Sequence, residues 1–348
     1  MSRLISTAFA LGLMLLSVTA AEAAGVRSFR DWNAVCDNSN TCVAFAFPAE
    51  GGGETAWLRL ERGGDAGAPV KAVIAVYAED DLVAGGGPWT VTVDGKPVAG
   101  LGALTPVQDG TGFWRAEVPA SSGRALAIAA RDGSLLTLSR KSREPLTLSL
   151  AGGGATMIWI DEQQGRLGSP TALSRAPGRP LAIVAPVLPV IKAGPAVSQA
   201  DLPKTVPARV MAVLEDCEEP GNWNDEPVIA RLAPGVVLYA PVCSRGAYNA
   251  VYSLVLADEK GGGARRLTLP AAPGSTEPAI SDPMNIDYSV QARILVSFSK
   301  GRGIGDCGSE EQWVWDGAAF RLVIARVMSD CRGVPFDDWP MLYEAQVR

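Results

Sequence analysis

Thr90-Val91-Thr92-Val93-Asp94-Gly95-Lys96-Pro97-Val98 is the stretch on which the fold class turns. Its β-branched residues precede an Asp-Gly pair, and glycine accepts the positive φ that a two-residue hairpin turn demands. A strand, a tight turn and a returning strand are therefore expected here. The same vocabulary recurs on either side, as short runs of Val, Ile, Leu, Thr and aromatics separated by Gly, Pro and Asp, the mark of antiparallel β structure. Before residue 176 the expected strands are Trp32–Cys36, Thr41–Phe47, Ala56–Glu61, Ala72–Tyr77, Trp89–Val93, Phe113–Val118, Ala125–Ala130 and Leu146–Leu150. One helix is expected from about Gly154 to Gln164, with Gly165 placed to end it. A β-sandwich capped by that helix is the reading for residues 24–175.

Prolines 177, 180, 186, 189, 195, 203 and 207 crowd residues 176–208. At this density the chain reads as an extended linker, with an edge strand allowed at Leu181–Val187. Beyond it, residues 209–348 read as a second antiparallel domain, a β-meander. Its expected strands are Arg209–Asp216, Val228–Leu232, Val236–Val242, Ala250–Ala257, Ala264–Leu269, Ala292–Ser299, Glu311–Trp315 and Phe320–Val327. Asp316-Gly317 should turn the chain so that Phe320 and Leu322 meet Trp313 and Trp315 across a hairpin. The fold class is thus mainly β, two antiparallel β-rich domains joined by a Pro-rich linker.

The N-terminus reads as a signal peptide over residues 1–23. Arg3 supplies the positive start, Leu4 to Val18 is apolar apart from small residues, and Ala21-Glu22-Ala23 forms an A-x-A cleavage site, with Ala20 as an alternative end. The apolar run is shorter than the roughly 20 residues a membrane anchor needs. Export to the periplasm is the expectation, leaving roughly 325 residues, more than the about 250–300 at which single cores stop growing. No membrane span is expected in that mature chain. Cys36, Cys42, Cys217, Cys243, Cys307 and Cys331 then read as disulfides in an oxidising compartment. Six cysteines allow many connectivities. Nearest-neighbour pairing is the expectation, Cys36 with Cys42, Cys217 with Cys243 and Cys307 with Cys331.

The chain contains no histidine, and its net charge is −6. Without imidazole the Ser-His-Asp and Cys-His hydrolases and the H-E-x-x-H metalloproteases fall away, and a zinc site has neither histidine nor C-x-x-C spacing. The acidic balance argues against nucleic acid as a partner. No cofactor and no metal are expected, and no catalytic residue is assigned. Glu215, Asp216, Glu218 and Glu219 around Cys217, with Asp225 and Glu226, form an acidic run that lacks the calcium-loop pattern.

Several motifs together resemble one family. They are Phe29-Arg30-Asp31-Trp32 with Val35-Cys36-Asp37-Asn38 and Thr41-Cys42; Ile160-Asp161-Glu162-Gln163-Gln164-Gly165-Arg166; Cys243-Ser244-Arg245-Gly246-Ala247-Tyr248-Asn249; and Lys300-Gly301-Arg302-Gly303-Ile304-Gly305-Asp306-Cys307-Gly308 with Trp313-Val314-Trp315-Asp316-Gly317. The chain resembles the proteobacterial domain of unknown function 1176 family over its whole mature length. Its front half is more weakly similar to the invasion-associated locus B family, which implies a periplasmic β-sandwich. Neither resemblance implies an activity or a catalytic residue.

Two loops carry the candidate ligand-binding residues. In Lys300–Gly308 the glycines expose backbone amides while Lys300, Arg302 and Asp306 supply charge, an arrangement able to hold an anion; the alternative pairs Arg302 with Asp306 in a rigid loop. Beside Cys243, Arg245, Tyr248 and Asn249 place a cation, an aromatic ring and an amide together. The leading expectation is a non-catalytic binding or interaction module for an envelope component or protein. A histidine-independent enzyme such as a carboxylate glycosidase, or a purely structural envelope factor, stands as the alternative.

Overall fold

The computed structural model describes residues 24–49, 54–78, 87–141, 143–174, 183–214, 217 and 226–348. Residues 1–23, where a signal peptide is expected, and most of the acidic run around Cys217 lie outside the described residues. The chain is mainly β, built of antiparallel sheets with one short parallel pair.

Strands β1 (Gly25–Phe29), β2 (Trp32–Cys36), β3 (Cys42–Ala46), β4 (Ala56–Arg62), β5 (Val70–Tyr77), β8 (Val107–Gln108) and β9 (Phe113–Val118) form one sheet in the order β1-β2-β3-β4-β5-β9-β8. A second sheet joins β6 (Thr90–Val93), β7 (Lys96–Pro97), β10 (Leu135–Ser139) and β11 (Leu146–Ser149). The Asp94-Gly95 turn between β6 and β7 has φ of 49° and 74°, the double positive value of a type I′ hairpin.

Side-chain alternation gives the seven-stranded sheet two buried faces. Ala34, Ala44, Leu58 and Ile74 enter a core shared with Val91, Leu136, Leu138 and Leu148 of the second sheet. On the opposite face Phe45, Trp57 and Phe113 pack with Met328, Val334 and Trp339 from the far end of the chain. That is why every residue of β2 and β3 is buried.

The expected strand Ala125–Ala130 is instead part of a helix, Ala120–Asp132. Alanine is the best helix former, Pro119 precedes the first turn, and Gly123, Leu126, Ala127 and Ala130 recur at helical spacing on the buried face. Gly123 lets the helix lie directly on β5, since a Cβ there would stand 1.9 Å from the Val70 carbonyl oxygen. The other helix, Gly153–Gln163, falls where the sequence places it. The expected strand Arg209–Asp216 is also corrected, to a helical turn Ala208–Met211 that follows Pro207 and buries Val210.

The proline-rich segment joins a sheet later than expected. Within the described part of 181–187 there is no strand; β12 (Val190–Ile191) instead pairs in parallel with the C-terminal strand Gln346–Val347. Pro186 and Pro189 have no N–H to give a ladder, and the Pro189 carbonyl accepts the first bond, from the Gln346 amide at 2.8 Å.

Beyond residue 226 come β13 (Val228–Ala233), β14 (Val236–Ala240), β15 (Val242–Arg245), β16 (Ala250–Tyr252), β17 (Leu254–Ala257), β18 (Arg265–Leu267), β19 (Leu269–Pro270) and β20 (Ala279–Ile280). A meander of β21 (Asp287–Ser289), β22 (Ile294–Lys300), β23 (Gly308–Trp315), β24 (Phe320–Met328) and β25 (Met341–Glu344) follows in strict chain order. Trp313 faces Leu322 and Trp315 faces Phe320 across the β23–β24 hairpin. All three disulfides join nearest neighbours, Cys36–Cys42, Cys217–Cys243 and Cys307–Cys331. No helix among the described residues is long and apolar enough to cross a membrane.

Candidate functional site

The two loops singled out in the sequence meet. Asn249 bonds both backbone groups of Lys300, donating from Nδ2 to its carbonyl at 3.0 Å and accepting from its amide at 3.1 Å. Its Oδ1 also accepts from Asn285 Nδ2 at 2.7 Å. Tyr248 donates its hydroxyl to the Gly301 carbonyl at 2.9 Å. The amide expected to read a ligand is therefore spent on holding one loop to the other. Asn249→Ala should cost about 1–3 kcal/mol in denaturant unfolding, because the freed partners are part-buried, whereas Tyr248→Phe, which removes one exposed hydroxyl bond, should cost less than about 1 kcal/mol.

Arg302 is likewise engaged. Its Nε and Nη2 grip Asp306 at 2.6 and 2.5 Å, and the Gly333 amide donates to the same carboxylate at 2.7 Å. Burial works to raise the Asp306 carboxyl, but the Arg302 bond and the Gly333 amide outweigh it and hold it below the ordinary range. The guanidinium fork that would seize an anion has an internal carboxylate in it, the pairing that makes the loop rigid. Arg245, Lys300 and the exposed Ile304 stand around this junction at the surface. Of the acidic run, Glu226 is described and is exposed, and Cys217 is bridged to Cys243.

The recessed surface lies farther along β23, starting just past the Cys307 bridge. A groove of about 250 Å³ has Ser309 and Glu311 of β23 and Ala325, Arg326 and Val327 of β24 on its floor; Val26, Leu342 and the turn at 272–275 form its walls. Position along the strand explains the acid. Ser309, Glu311 and Trp313 alternate onto the same face of the meander, so Glu311 stands at the margin of the core that holds Trp313 and Leu342. Glu310, one residue earlier, points to the other face and pairs with Arg326 at 3.1 Å. Desolvation pushes the Glu311 carboxyl up to about 7; a bond from Ser309 works against it and the charge of Glu310 adds to it. Among the described residues Glu311 has no ion-pair partner.

A carboxyl whose folded-state pKa is raised binds its proton more tightly in the native chain, so stability falls as pH rises from the ordinary value of 4.5 toward 7. Glu311→Gln keeps the shape and removes the charge. It should leave stability nearly unchanged at pH 4 and raise it by about 1–2 kcal/mol at pH 8, allowing for solvent in the groove, in paired urea titrations.

The sequence signature of the family described as "Protein of unknown function (DUF1176)" matches residues 26–346. The chain belongs to the DUF1176 family. It is similar to "Uncharacterized protein YpfG" of Escherichia coli (strain K12), 29% identical over 352 residues that span 91% of this chain and 92% of that protein. No solved structure matches the chain.

Seen as a DUF1176 protein, the chain uses its Ile160–Arg166 motif to build a polar core. Asp161 and Gln164 receive Arg62 at 2.6 Å each, and Arg166 donates to the carbonyls of Ala66 and Asp65. Sequence reasoning missed Ser309 and Glu311 as a site. The available signal was parity: in a strand whose Trp313 and Trp315 face inward, Glu311 falls on the tryptophan side.

Proposed function

We propose that the protein is a periplasmic, non-catalytic binding module that receives a small envelope component, or the end of a larger one, in the groove above Glu311. The groove carries the reading: it combines an apolar wall with a carboxylate that no described cation neutralises. Its volume is below the roughly 300–1,000 Å³ of pockets that enclose whole ligands, which suits a fragment-sized partner. The Cys307–Cys331 bridge ties together the adjoining ends of β23 and β24, supporting a preformed floor. Among the described residues Glu311 is the single carboxylate in the lining, which lends no support to hydrolysis by paired carboxylates. Arg3, the apolar run, the A-x-A site and three disulfides support the compartment.

The test has two parts. Fractionation of cells expressing the full chain should place it in the periplasm with Ala24 as its first residue. The purified protein should then show a rise in melting temperature with at least one member of a panel of small envelope components, and Ser275→Trp, which plugs the exposed rim of the groove, should abolish that rise. A cytoplasmic product, or a thermal shift that persists in Ser275→Trp, would remove the compartment or the groove from the proposal.

A further inference from the structure

We infer that the groove selects a small primary amine, its ammonium set against Glu311 and Ser309 and its short alkyl body laid along the apolar floor. This rests on the groove being the binding site and names the chemistry of its ligand.

The argument is one of charge and donor count. Glu311 reaches into a recess lined by the aliphatic side chains of Val26, Ala325, Val327 and Leu342 together with Arg326 and the turn at 272–275. Arg326 also lines the groove, but it stands opposite Glu310 in the β23–β24 register, and its guanidinium is bonded to Glu310 at 3.1 Å and lies 5.4 Å from the Phe336 ring centre. Among the described residues the site therefore presents acceptors whose neighbouring cation is already paired. Ser309 bonds Glu311 and stands beside it on the same strand face, so two acceptor groups are adjacent. An ammonium has three donors and no acceptor, and can satisfy both while its charge compensates the carboxylate. A carboxylate ligand would be repelled. A neutral alcohol would gain a hydrogen bond and leave the charge uncompensated, and charge-assisted bonds are about twice as strong as neutral ones.

The other charged side chains on the surrounding elements do not supply the missing cation. Arg27 follows Val26 on β1 and so points away from it; Glu277 is exposed on the turn after Ser275; Glu344 on β25 is close to Asp37. With Glu310 and Arg326 already paired, Glu311 is the group whose ionisation sets the charge of the recess. Amine binding draws the proton from the carboxyl, so affinity should rise with pH through neutrality while the amine, with an ordinary pKa of about 10.4, stays charged.

The experiment follows methyl signals of Val26, Ala325, Val327 and Leu342 by NMR in the full oxidised chain during titration with butylammonium, butanol and butyrate. At pH 8.5 butylammonium should bind roughly tenfold or more tighter than butanol, with butyrate weakest. Between pH 6 and pH 8.5 its affinity should rise roughly tenfold, that of butanol much less. Glu311→Gln should equalise butylammonium and butanol, and Glu311→Asp should restore part of the preference. If butanol moves these signals and butylammonium binds no tighter, the amine assignment is overturned and the groove as a binding site survives. If butyrate binds tightest, the amine assignment is overturned as well. If none of the three probes moves them, the groove itself is not a site, and both readings fall.

Discussion

Replacing Asp161 by alanine should cost about 3–5 kcal/mol, the effect of leaving one partner of a buried ion pair uncompensated. Asp161 is wholly buried and accepts from Arg62 Nη2 at 2.6 Å, from the Leu173 amide at 3.1 Å, and from the amide and hydroxyl of Ser174 at 2.7 Å each. Burial already pushes the Arg62 guanidinium down to about 10, and the charges of Arg166 and Arg124 work in the same direction. Without Asp161 the buried Arg62 loses its carboxylate while the charges of Arg166 and Arg124 still act on it. Urea unfolding of the oxidised protein at pH 7 reads the loss. The double variant Arg62→Leu with Asp161→Leu should lose clearly less than Asp161→Ala, because it removes both charges. A cost below about 1 kcal/mol for Asp161→Ala would show that the network is wet and the segment 169–174 is held by other contacts.

Removing the Cys307–Cys331 bridge with paired serines should cost about 3.5 kcal/mol by chain entropy for a loop spanning 24 residues, against about 2 kcal/mol for Cys36–Cys42, which spans 6. More than loop closure is at stake. Cys307 is packed in the cluster of Phe45, Trp57 and Trp339, and its carbonyl accepts the Gly301 amide at 2.7 Å. Asp306, next in the chain, holds Arg302 on one side and the Gly333 amide on the other. The three double-serine variants, compared by thermal unfolding, should rank Cys307–Cys331 above Cys36–Cys42. The reverse order would mean that the β2–β3 turn nucleates the native sheet and that the Cys307 loop is pinned without its bridge.

The candidate site was only partly legible in the sequence. Lys300–Gly308 and Arg245–Asn249 stood out because glycine, charge and cysteine cluster there, and the structure does bring these loops together through Tyr248 and Asn249. Side-chain composition could not say whether their polar groups face a ligand or one another. The answer depends on Asn285 and Gly333, which lie outside both loops, and on how Asn285 is held by the backbone of β22. Glu311 was passed over for the opposite reason. Beside Glu310 it looks like ordinary strand-surface charge, and only the packing of Val26 and the 272–275 turn over β23 places it in a recess.

The errors in the fold have the same source. Ala125–Ala130 lacks polar residues to mark a period, so an apolar run reads as a strand until the contact of Gly123 with β5 is known. The Asp94-Gly95 turn and the Trp313-to-Phe320 hairpin needed no such knowledge. Each is fixed by residues close together in the chain, through turn dihedrals and strand alternation, whereas the pairing of six cysteines stayed open until the structure chose nearest neighbours. Whatever depends on residues far apart in the chain is settled by the folded packing. The second face of the seven-stranded sheet is covered by Met328, Val334 and Trp339, and Asn33 finds Ser329 at 2.7 Å across 296 positions. Local propensity carries no term for such partners, because burial and charge compensation belong to neighbours in space.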